Sequence, residues 1–384
     1  MYHFLLLDQI EFLRKKFSEY YLKENRVYAP QLSKREIGYI PFNGTMTRHI
    51  SFKEPNIRQE LYSFLMKNVP RHLYHSVATY EHPDERSMLQ KKWKDAELIF
   101  DLDADHIEGA DKLSYEEILK EVKKHTHRLI NKFLIGYLNI DPDNIKLYFS
   151  GGRGYHVHVR DISVYDMNSD QRREVSNLVR GEGLNAKGFL ETVSREHFIG
   201  KGWIGDIDER FVKYVGMIMD GENPIEDKNL INNFRKYFTS DESERKRERL
   251  RMLMTPGEEK YKRMEKSKLE TELLQNVIEK VKRENACEID EPVSTDIHRL
   301  IRFPYSLHGK TGFQVCEIKL EHLNSFNPLV ESIPEIFMDG ELRVNMNKKF
   351  NIEIMNRNWS LDGEMEVPTY LGMYLLLSGR AKLE

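Results

Sequence analysis

An alternating stretch of apolar and acidic residues, Ala96–Asp105, most constrains what this chain can fold into. With the period of two of a β-strand, Leu98, Phe100, Leu102 and Ala104 share one face. The other face carries Ile99 and the carboxylates of Asp101, Asp103 and Asp105. Like charges held side by side raise the pKa of one carboxyl group unless a cation lies between them. An all-oxygen ligand set suits Mg²⁺ or Mn²⁺ better than zinc. The stretch therefore predicts either a divalent-metal site on Asp101 and Asp103 or an ordinary acidic strand end.

The composition is that of a globular protein with room for more than one core. The chain has 384 residues, of which 40% are hydrophobic and 32% are charged. No run of about 18 apolar residues occurs, so we expect no membrane-spanning segment and no membrane partner. The two cysteines, Cys287 and Cys316, lie far apart in sequence, which favours a reducing intracellular, cytoplasmic location over a cysteine-based zinc site. With a net charge of −3, any polyanion must be bound by a local basic patch or through metal ions.

A β-hairpin is predicted where segments 35–40 and 46–52 flank an Asn-Gly pair. Both segments alternate apolar and polar residues, and Asn-Gly is a common hairpin turn. Glu36 and Arg48 fall on opposite strands. They form either a cross-strand ion pair or part of a functional site.

A second strand with polar side chains on one face follows a glycine-rich link. Segments 145–149 and 155–160 are predicted strands, and residues 150–154 join them. Glycines let the backbone approach a ligand closely and present N–H groups to phosphate oxygens, and an arginine adds a two-pronged phosphate contact. The link lacks the Gly-Lys-Ser/Thr of a Walker loop, and the alternative is a tight hairpin without a ligand. The candidates for phosphate binding are Ser150, Gly151, Gly152, Arg153 and His156.

A third group of charged residues lies nearer the C-terminal end. We predict a short helix over 297–303, entered through the capping residues 294–296. Arg299 and Arg302 are three positions apart and would face the same way on this helix. An acid, two arginines, a histidine and a lysine within about twenty residues resemble a triphosphate clamp beside a metal ligand: Asp290, Arg299, Arg302, His308 and Lys310.

The chain divides into three predicted segments. Residues 1–165 form the first part of a core, residues 166–285 a charged, mainly helical insertion, and residues 286–384 the second part of the core with a buried C-terminal helix. The expected fold class is α+β, with a mixed β-sheet that carries the acids, flanking helices and a helical insertion subdomain. Amphipathic helices are predicted over 5–23, 56–67 and 114–134.

Three separated blocks resemble the small catalytic subunit of the archaeo-eukaryotic DNA primases, in its archaeal form. They are Phe100–Asp103, Ser150–Val157, and Asp290 together with Arg299–Gly312. Each block alone is modest evidence. The order of the blocks is specific for this family when it is combined with their content, which is an acidic strand, a Gly-Arg-His group and an Arg-Pro-His group. The resemblance covers most of the chain except the insertion.

This resemblance implies a DNA-directed nucleotidyltransferase that makes short primers on single-stranded DNA for replication. Asp101, Asp103 and Asp290 would be the catalytic carboxylates and would hold two divalent ions, Mg²⁺ or Mn²⁺. NTPs or dNTPs would be the substrates, and a large regulatory subunit would complete a heterodimer. The nucleotide-binding residues would be Ser150, Gly151, Gly152, Arg153, His156, Arg299, Arg302 and His308, supported by Glu36 and Arg48.

The chain departs from the family pattern at two points. One is Gly152, which stands where some relatives have a second basic residue, and the other concerns zinc. The family commonly has a cysteine-rich zinc module shortly after the first acidic pair, whereas residues 105–127 contain no cysteine. Either the module is absent or residues other than cysteine replace it. We expect it to be absent, which makes a structural zinc doubtful.

Three other functions fit part of the pattern. A primase-like repair polymerase would use the same acids to extend existing ends. A DxD sugar-nucleotide glycosyltransferase would account for the acidic strand but not for Asp290 with the Arg-Pro-His block. A non-catalytic nucleic-acid-binding module would need basic and aromatic residues and has no use for three convergent acids.

Overall fold

Helices and strands are both extensive in the computed structural model, which describes residues 2–107, 109–195, 200–240 and 243–384. The α+β class predicted from the sequence is confirmed. None of the helices in these ranges is both long enough and apolar enough to span a membrane. The helices are α1 (Tyr2–Lys23), α2 (Ile57–Asn68), α3 (Met88–Lys91), α4 (Tyr115–Arg128), α5 (Ile162–Tyr165), α6 (Ser169–Arg180), α7 (Ala186–Arg195), α8 (Gly202–Met219), α9 (Lys228–Thr239), α10 (Glu244–Leu253), α11 (Lys268–Asn285), α12 (Glu291–Thr295), α13 (Pro328–Glu331) and α14 (Thr369–Leu377).

The strands are short and gather into several small sheets rather than one mixed sheet. Every strand pair within the described residues is antiparallel. The strands are β1 (Ile37–Ile40), β2 (Thr47–Ile50), β3 (His72–Ser76), β4 (Ala78–Tyr80), β5 (Trp93–Ala96), β6 (Leu98–Leu102), β7 (Ile145–Phe149), β8 (Tyr155–Val159), β9 (Leu300–Arg302), β10 (Glu317–Ile318), β11 (Glu341–Met346), β12 (Phe350–Ile354), β13 (Arg357–Leu361), β14 (Glu364–Pro368) and β15 (Ala381–Leu383).

The chain separates into two compact units. The first contains Met1–His127, Ile140–Arg173 and Glu288–Glu384 and holds every strand found among the described residues. The second contains Arg128–Asn139 and Glu174–Cys287 and is helical, so it includes most of the predicted insertion. Within this second unit, α11 packs on α7, α8 and α9 around a buried apolar core.

Two four-stranded sheets position the polar side chains of the first unit. In one sheet the order is β2-β1-β3-β9, and in the other it is β10-β7-β8-β6. Strand β6 lies at the edge of its sheet and pairs with β8, so that Asp101 lies opposite His156. Strand β9 lies at the edge of the other sheet and pairs with β3, so that Arg302 lies opposite Tyr74. One sheet edge thus carries the carboxyl group of Asp101, and the edge of the other sheet carries the guanidinium group of Arg302.

Several elements form where the sequence pattern predicts them. The predicted hairpin is β1–β2, and its register pairs Ile37 with Ile50. The predicted helices over 5–23 and 56–67 correspond to α1 and α2, and the 114–134 segment is helical as α4 followed by a π-helical stretch, Leu129–Tyr137. The predicted buried C-terminal helix is α14, in which every residue except Tyr370 is buried.

The prediction of a helix over 297–303 is wrong. Residues 294–295 end α12 instead of opening a helix, because Asp290 precedes that helix and Pro292 lies in its first turn, where proline is favoured. Residues 300–302 form β9, whose backbone pairs with β3. Long-range strand pairing has overridden the local helical pattern. Arg299 and Arg302 therefore do not share one face of a helix.

Candidate active site

Three acidic residues meet at the end of β6. Asp101 lies on that strand, and Asp103 follows it directly. Asp290 comes from a distant part of the sequence, and its backbone N–H donates to the carbonyl oxygen of Asp101 at 2.9 Å. This bond fixes the start of α12 against the strand, as the extensive packing between the two elements also does. The structure therefore brings Asp101, Asp103 and Asp290 together.

The pKa of Asp101 is perturbed by its surroundings. Burial, followed by the negative charges of Asp103 and Asp290, raises the pKa of Asp101 to about 7. The positive charges of Arg302 and Arg299 oppose this rise. Mutual repulsion on this scale destabilises the cluster unless a proton or a cation neutralises it.

The glycine link between β7 and β8 packs tightly against the acidic strand. A Cβ atom on Gly154 would lie 2.3 Å from the carbonyl oxygen of Leu102, so only glycine fits there. Gly151 has a φ of +78°, and a Cβ atom on it would lie 2.6 Å from the Cβ of His308. The link is therefore wedged between the end of β6 and the histidine, which explains its glycine content.

Hydroxyl groups hold the glycine link in place. Thr311 donates through its Oγ1 to the carbonyl oxygen of Gly151 at 2.5 Å, and the Tyr115 hydroxyl donates to the carbonyl oxygen of Gly152 at 2.6 Å. The Gly152 N–H donates to the Oγ of Ser150 at 3.3 Å. The predicted phosphate-binding candidates of this link thus lie in one rigid turn beside His308.

Arg153 at the tip of the link pairs with an acid. Its Nη2 lies 2.6 Å from Oδ1 of Asp105 and 3.8 Å from Oδ1 of Asp103. The side chains of Arg153 and Asp105 are 42% and 72% exposed. Because exposed ion pairs contribute little net free energy, this arginine can exchange partners readily.

Arg302 is held by neutral groups, and Arg299 is exposed. The Nη1 of Arg302 lies 2.8 Å from Nδ1 of His72, and its guanidinium group lies over the ring of Tyr74 at 5.3 Å. Arg299 precedes β9 and points to solvent. Both arginines act electrostatically on Asp101, so they border the acidic cluster even though they are not on a common helix.

Two further histidines in this region are buried. The Nε2 of His156 lies 3.6 Å from Oδ1 of Asp101, and its Nδ1 is buried without a hydrogen-bond partner among the described residues. Burial lowers the pKa of His156 and of His308 well below the usual value. Both rings are therefore neutral near pH 7.

Glu36 and Arg48 form the ion pair that the hairpin register allows. Glu36 is fully buried and accepts hydrogen bonds from Arg48 Nε at 3.0 Å, from the backbone N–H of His49 at 3.2 Å and from the buried Lys91. Burial opposes ionisation of Glu36, but the bonds from Arg48 and Lys91 lower its pKa. With its oxygens saturated, Glu36 orients Arg48, whose side chain stays 37% exposed.

The sequence interpretation missed a buried ionic network at the opposite end of β6. Glu97 accepts from the guanidinium group of Arg35, lies 2.8 Å from Nδ1 of His158 and lies 3.2 Å from Nε of Arg160. The polar alternation of β8 was taken as one functional face, but only His156 on it lies beside the acids. The available signal was Glu97 itself, which precedes Asp101 by four residues and so falls on the same face of the predicted strand as the acids.

The free energy of unfolding is expected to fall at acidic pH because of His72. Burial, followed by the charges of Arg302, Arg71 and Lys310, lowers the pKa of His72 to about 3. The unfolded chain has a pKa near 6.5 at this residue, so its stabilising contribution is complete above that pH and is lost as pH falls towards 3. On lowering the pH from about 7.5 to about 5.5, we expect this residue alone to cost about 1.4 kcal/mol of unfolding free energy. The side chain of His72→Asn cannot titrate. Urea unfolding of the wild type and of this variant measures the effect as a difference in unfolding free energy that changes with pH. A difference in unfolding free energy that stays the same at all pH values would contradict the expectation.

The fold and the site together define an α+β protein in which carboxylates, arginines and neutral histidines surround a glycine turn. The model of the DNA primase small subunit family matches residues 100–318. The chain is 45% identical over 362 residues to a DNA primase small subunit of Picrophilus torridus, with 94% of each chain covered. It is 35% identical over 374 residues to the corresponding protein of Thermoplasma volcanium, with 97% of each covered. It is 33% identical over 402 aligned positions to that of Methanothrix thermoacetophila, covering 97% of this chain and 98% of the relative.

The chain belongs to the DNA primase small subunit family. The family resemblance identified from the three sequence blocks is thus confirmed, and the relatives are archaeal. Family membership disfavours the sugar-nucleotide glycosyltransferase alternative.

Proposed function

We propose that this chain is the catalytic subunit of a DNA primase, which starts short primers on single-stranded DNA for replication by a two-metal mechanism. The observation that supports this most strongly is the convergence of Asp101, Asp103 and Asp290 beside Arg302 and the glycine turn. A nucleotidyltransferase needs negative groups for metal ions and positive groups for a triphosphate in one place. Family membership supports the same function.

The acids would hold the metal ions, Mg²⁺ or Mn²⁺. No group of three or more His, Cys, Asp or Glu side chains in the described ranges is arranged to hold a metal ion by itself. Magnesium, however, is usually held by one or two carboxylates together with waters and substrate phosphates. The all-oxygen donors of Asp101, Asp103 and Asp290, and their mutual repulsion, fit ions shared with a nucleotide. Two such ions would activate the attacking hydroxyl group and neutralise the leaving pyrophosphate.

The remaining side chains would bind and orient the nucleotide. Arg153, Arg299 and Arg302 would contact the phosphates, and the backbone N–H groups of the glycine turn would donate to phosphate oxygens. The buried, neutral rings of His156 and His308 would act as hydrogen-bond donors and add no charge. The rigid turn would hold these donors in advance of binding, which reduces the reorganisation needed in the transition state. Ser150, Gly151 and Gly152 would belong to this turn, with Glu36 and Arg48 in a supporting role.

The partners proposed for this chain are nucleic acid and a second subunit. Single-stranded DNA would be the template, and ribonucleoside or deoxyribonucleoside triphosphates would be the substrates. A large regulatory primase subunit would complete a heterodimer.

De novo synthesis on single-stranded DNA, with labelled nucleotides and Mg²⁺ or Mn²⁺, tests the proposal. The chain is assayed with and without the large subunit, and with each class of nucleotide. Short products that begin without a supplied primer are expected. Extension of a supplied primer with no initiation under any condition would favour the repair-polymerase function. Absence of both reactions would contradict a nucleotidyltransferase.

The contact between Arg153 and Asp105 predicts a variant that binds nucleotide more tightly. If Arg153 binds phosphate, it must first leave Asp105, and an exposed ion pair costs at most about 1 kcal/mol to break. Replacing Asp105 by asparagine is therefore expected to lower the KM for the nucleotide by up to about fivefold with kcat little changed. Steady-state kinetics at fixed template measures this. An unchanged or higher KM would show that Asp105 does not compete with phosphate for Arg153.

A further inference from the structure

His72 is a buried histidine that neither the sequence motifs nor the proposed mechanism uses. It is the first residue of β3, and its side chain is almost fully enclosed. Its Nδ1 lies 2.8 Å from the Nη1 of Arg302 and 3.3 Å from the backbone nitrogen of Gly309. Its ring also lies edge-on to the ring of His308, with the ring centres 5.3 Å apart. It thus contacts two of the residues proposed to bind nucleotide.

The neighbours of His72 determine its protonation state. An arginine guanidinium group and a backbone N–H can only donate hydrogen bonds. Both face Nδ1, so this atom must have a free lone pair and accept. The ring is therefore neutral, with its proton on Nε2. Burial and the surrounding positive charges, which lower the pKa of His72, favour the same state.

A neutral acceptor has a particular consequence for Arg302. Of the described carboxylates, none lies within ion-pair distance (4.0 Å) of its guanidinium group, whereas Arg48 is paired with Glu36 and Arg153 with Asp105. Arg302 is instead oriented by an imidazole nitrogen and by the ring face of Tyr74. Its direction is fixed while its positive charge stays available to an incoming anion. A carboxylate in the same place would orient the arginine equally well but would compete with that anion.

The position is also tightly enclosed around Gly309. A Cβ atom on Gly309 would lie 2.7 Å from Nε2 of His72 and 2.4 Å from Cγ of Arg71. The Nε of Arg71 donates to the carbonyl oxygen of Gly309 at 2.8 Å. The segment that contains His308 is therefore packed directly onto β3, so His72 influences both a proposed phosphate-binding arginine and the segment next to it.

We propose that His72 is a positioning residue for nucleotide binding: as a neutral acceptor it orients Arg302 towards the nucleotide phosphates without neutralising its charge. This inference rests on the proposed function, because it requires Arg302 to contact the triphosphate. In this role His72 does not touch the nucleotide itself but acts through Arg302 and the 308–312 segment.

Two variants of nearly equal shape separate charge from packing. Asparagine can place an acceptor oxygen near the position of Nδ1, and aspartate differs from it only by its charge. With the full chain and its large subunit, we measure KM for the NTP and kcat for His72→Asn, His72→Asp and Arg302→Ala. His72→Asn is expected to keep KM within about threefold of the wild type, and His72→Asp is expected to raise it about tenfold or more with a smaller effect on kcat.

Each result has a defined meaning. If Arg302→Ala leaves KM unchanged, the assignment of Arg302 as a phosphate ligand fails, and the proposed function is revised at that point. If Arg302→Ala raises KM but His72→Asp and His72→Asn behave alike, only the role of His72 is overturned. Should His72→Asp fail to fold, His72→Ala replaces it: a KM raised about tenfold for alanine and restored by asparagine supports the proposal, and equal values for alanine and asparagine overturn it.

Discussion

Replacing Asp101 by asparagine is expected to abolish primer synthesis while leaving the protein as stable as the wild type, or more so, when no metal is present. Asp101 lies among Asp103 and Asp290, whose charges, together with burial, raise its pKa to about 7. Asparagine keeps the shape and removes one repelling charge, so the fold loses no packing. If the carboxylates hold metal ions that contribute several kcal/mol to the transition state, the rate falls by about a thousandfold or more.

Two measurements check this expectation, and a matched variant controls for it. The first measurement is the rate of nucleotide incorporation by the wild type and each variant. The second is the thermal unfolding of the same proteins in EDTA and in Mn²⁺. The wild type should gain stability on adding Mn²⁺, because a ligand that binds only the folded state stabilises it, and Asp101→Asn should lose most of that gain. Asp143→Asn, an exposed aspartate at the far end of β7 from the glycine turn, should keep both activity and the Mn²⁺ effect. Full activity in Asp101→Asn would overturn the metal assignment, and equal loss in Asp143→Asn would show that the assay reports something else.

The parts of the site that follow a strand period were predictable from the sequence. Asp101 and His156 each belong to a segment in which apolar residues alternate with polar ones, and β6 and β8 form there. The glycine turn was predictable because several glycines in a row have few other uses between two strands. The ion pair between Glu36 and Arg48 was one of the two roles that the predicted hairpin left open, and the structure contains this pair.

Long-range pairing accounts for what the sequence did not reveal. Segment 297–303 has a helical pattern locally, yet its residues 300–302 complete a sheet whose other strands lie more than two hundred positions earlier in the chain. His72 lies on that partner strand, so its contact with Arg302 exists only after the strands pair. The contact between Arg153 and Asp105 likewise depends on how the glycine turn folds over the end of β6. Periodicity predicts which face a residue occupies, but it does not predict which distant residue meets it.

Removing the charge of Glu97 should produce the largest loss of stability of any single substitution considered for this protein. The Glu97 side chain is 4% exposed and is surrounded by the guanidinium groups of Arg35 and Arg160 and by the ring of His158. Burial alone would raise its pKa, but Arg35, His158 and Arg160 lower it well below the usual value. Glu97→Ala leaves Arg35 buried without a counter-charge, and breaking a buried pair in this way costs about 3–5 kcal/mol.

Arg35 explains why the loss cannot be recovered simply by removing the second charge. Besides Glu97, it donates to the carbonyl oxygens of Pro30, Ser76 and Val77. An Arg35→Met, Glu97→Leu double variant removes both charges but also removes these three hydrogen bonds. The Val77 carbonyl keeps a bond from the backbone N–H of Glu97 and the Ser76 carbonyl keeps its contact with His75, so each lost bond costs about 0.5–1.5 kcal/mol. Urea unfolding should therefore show both variants to be destabilised, whereas Glu81→Gln, which removes an exposed pair with Lys92, should unfold like the wild type. A double variant as stable as the wild type would mean that the network contributes through its charges alone and that the backbone bonds of Arg35 add nothing to the fold.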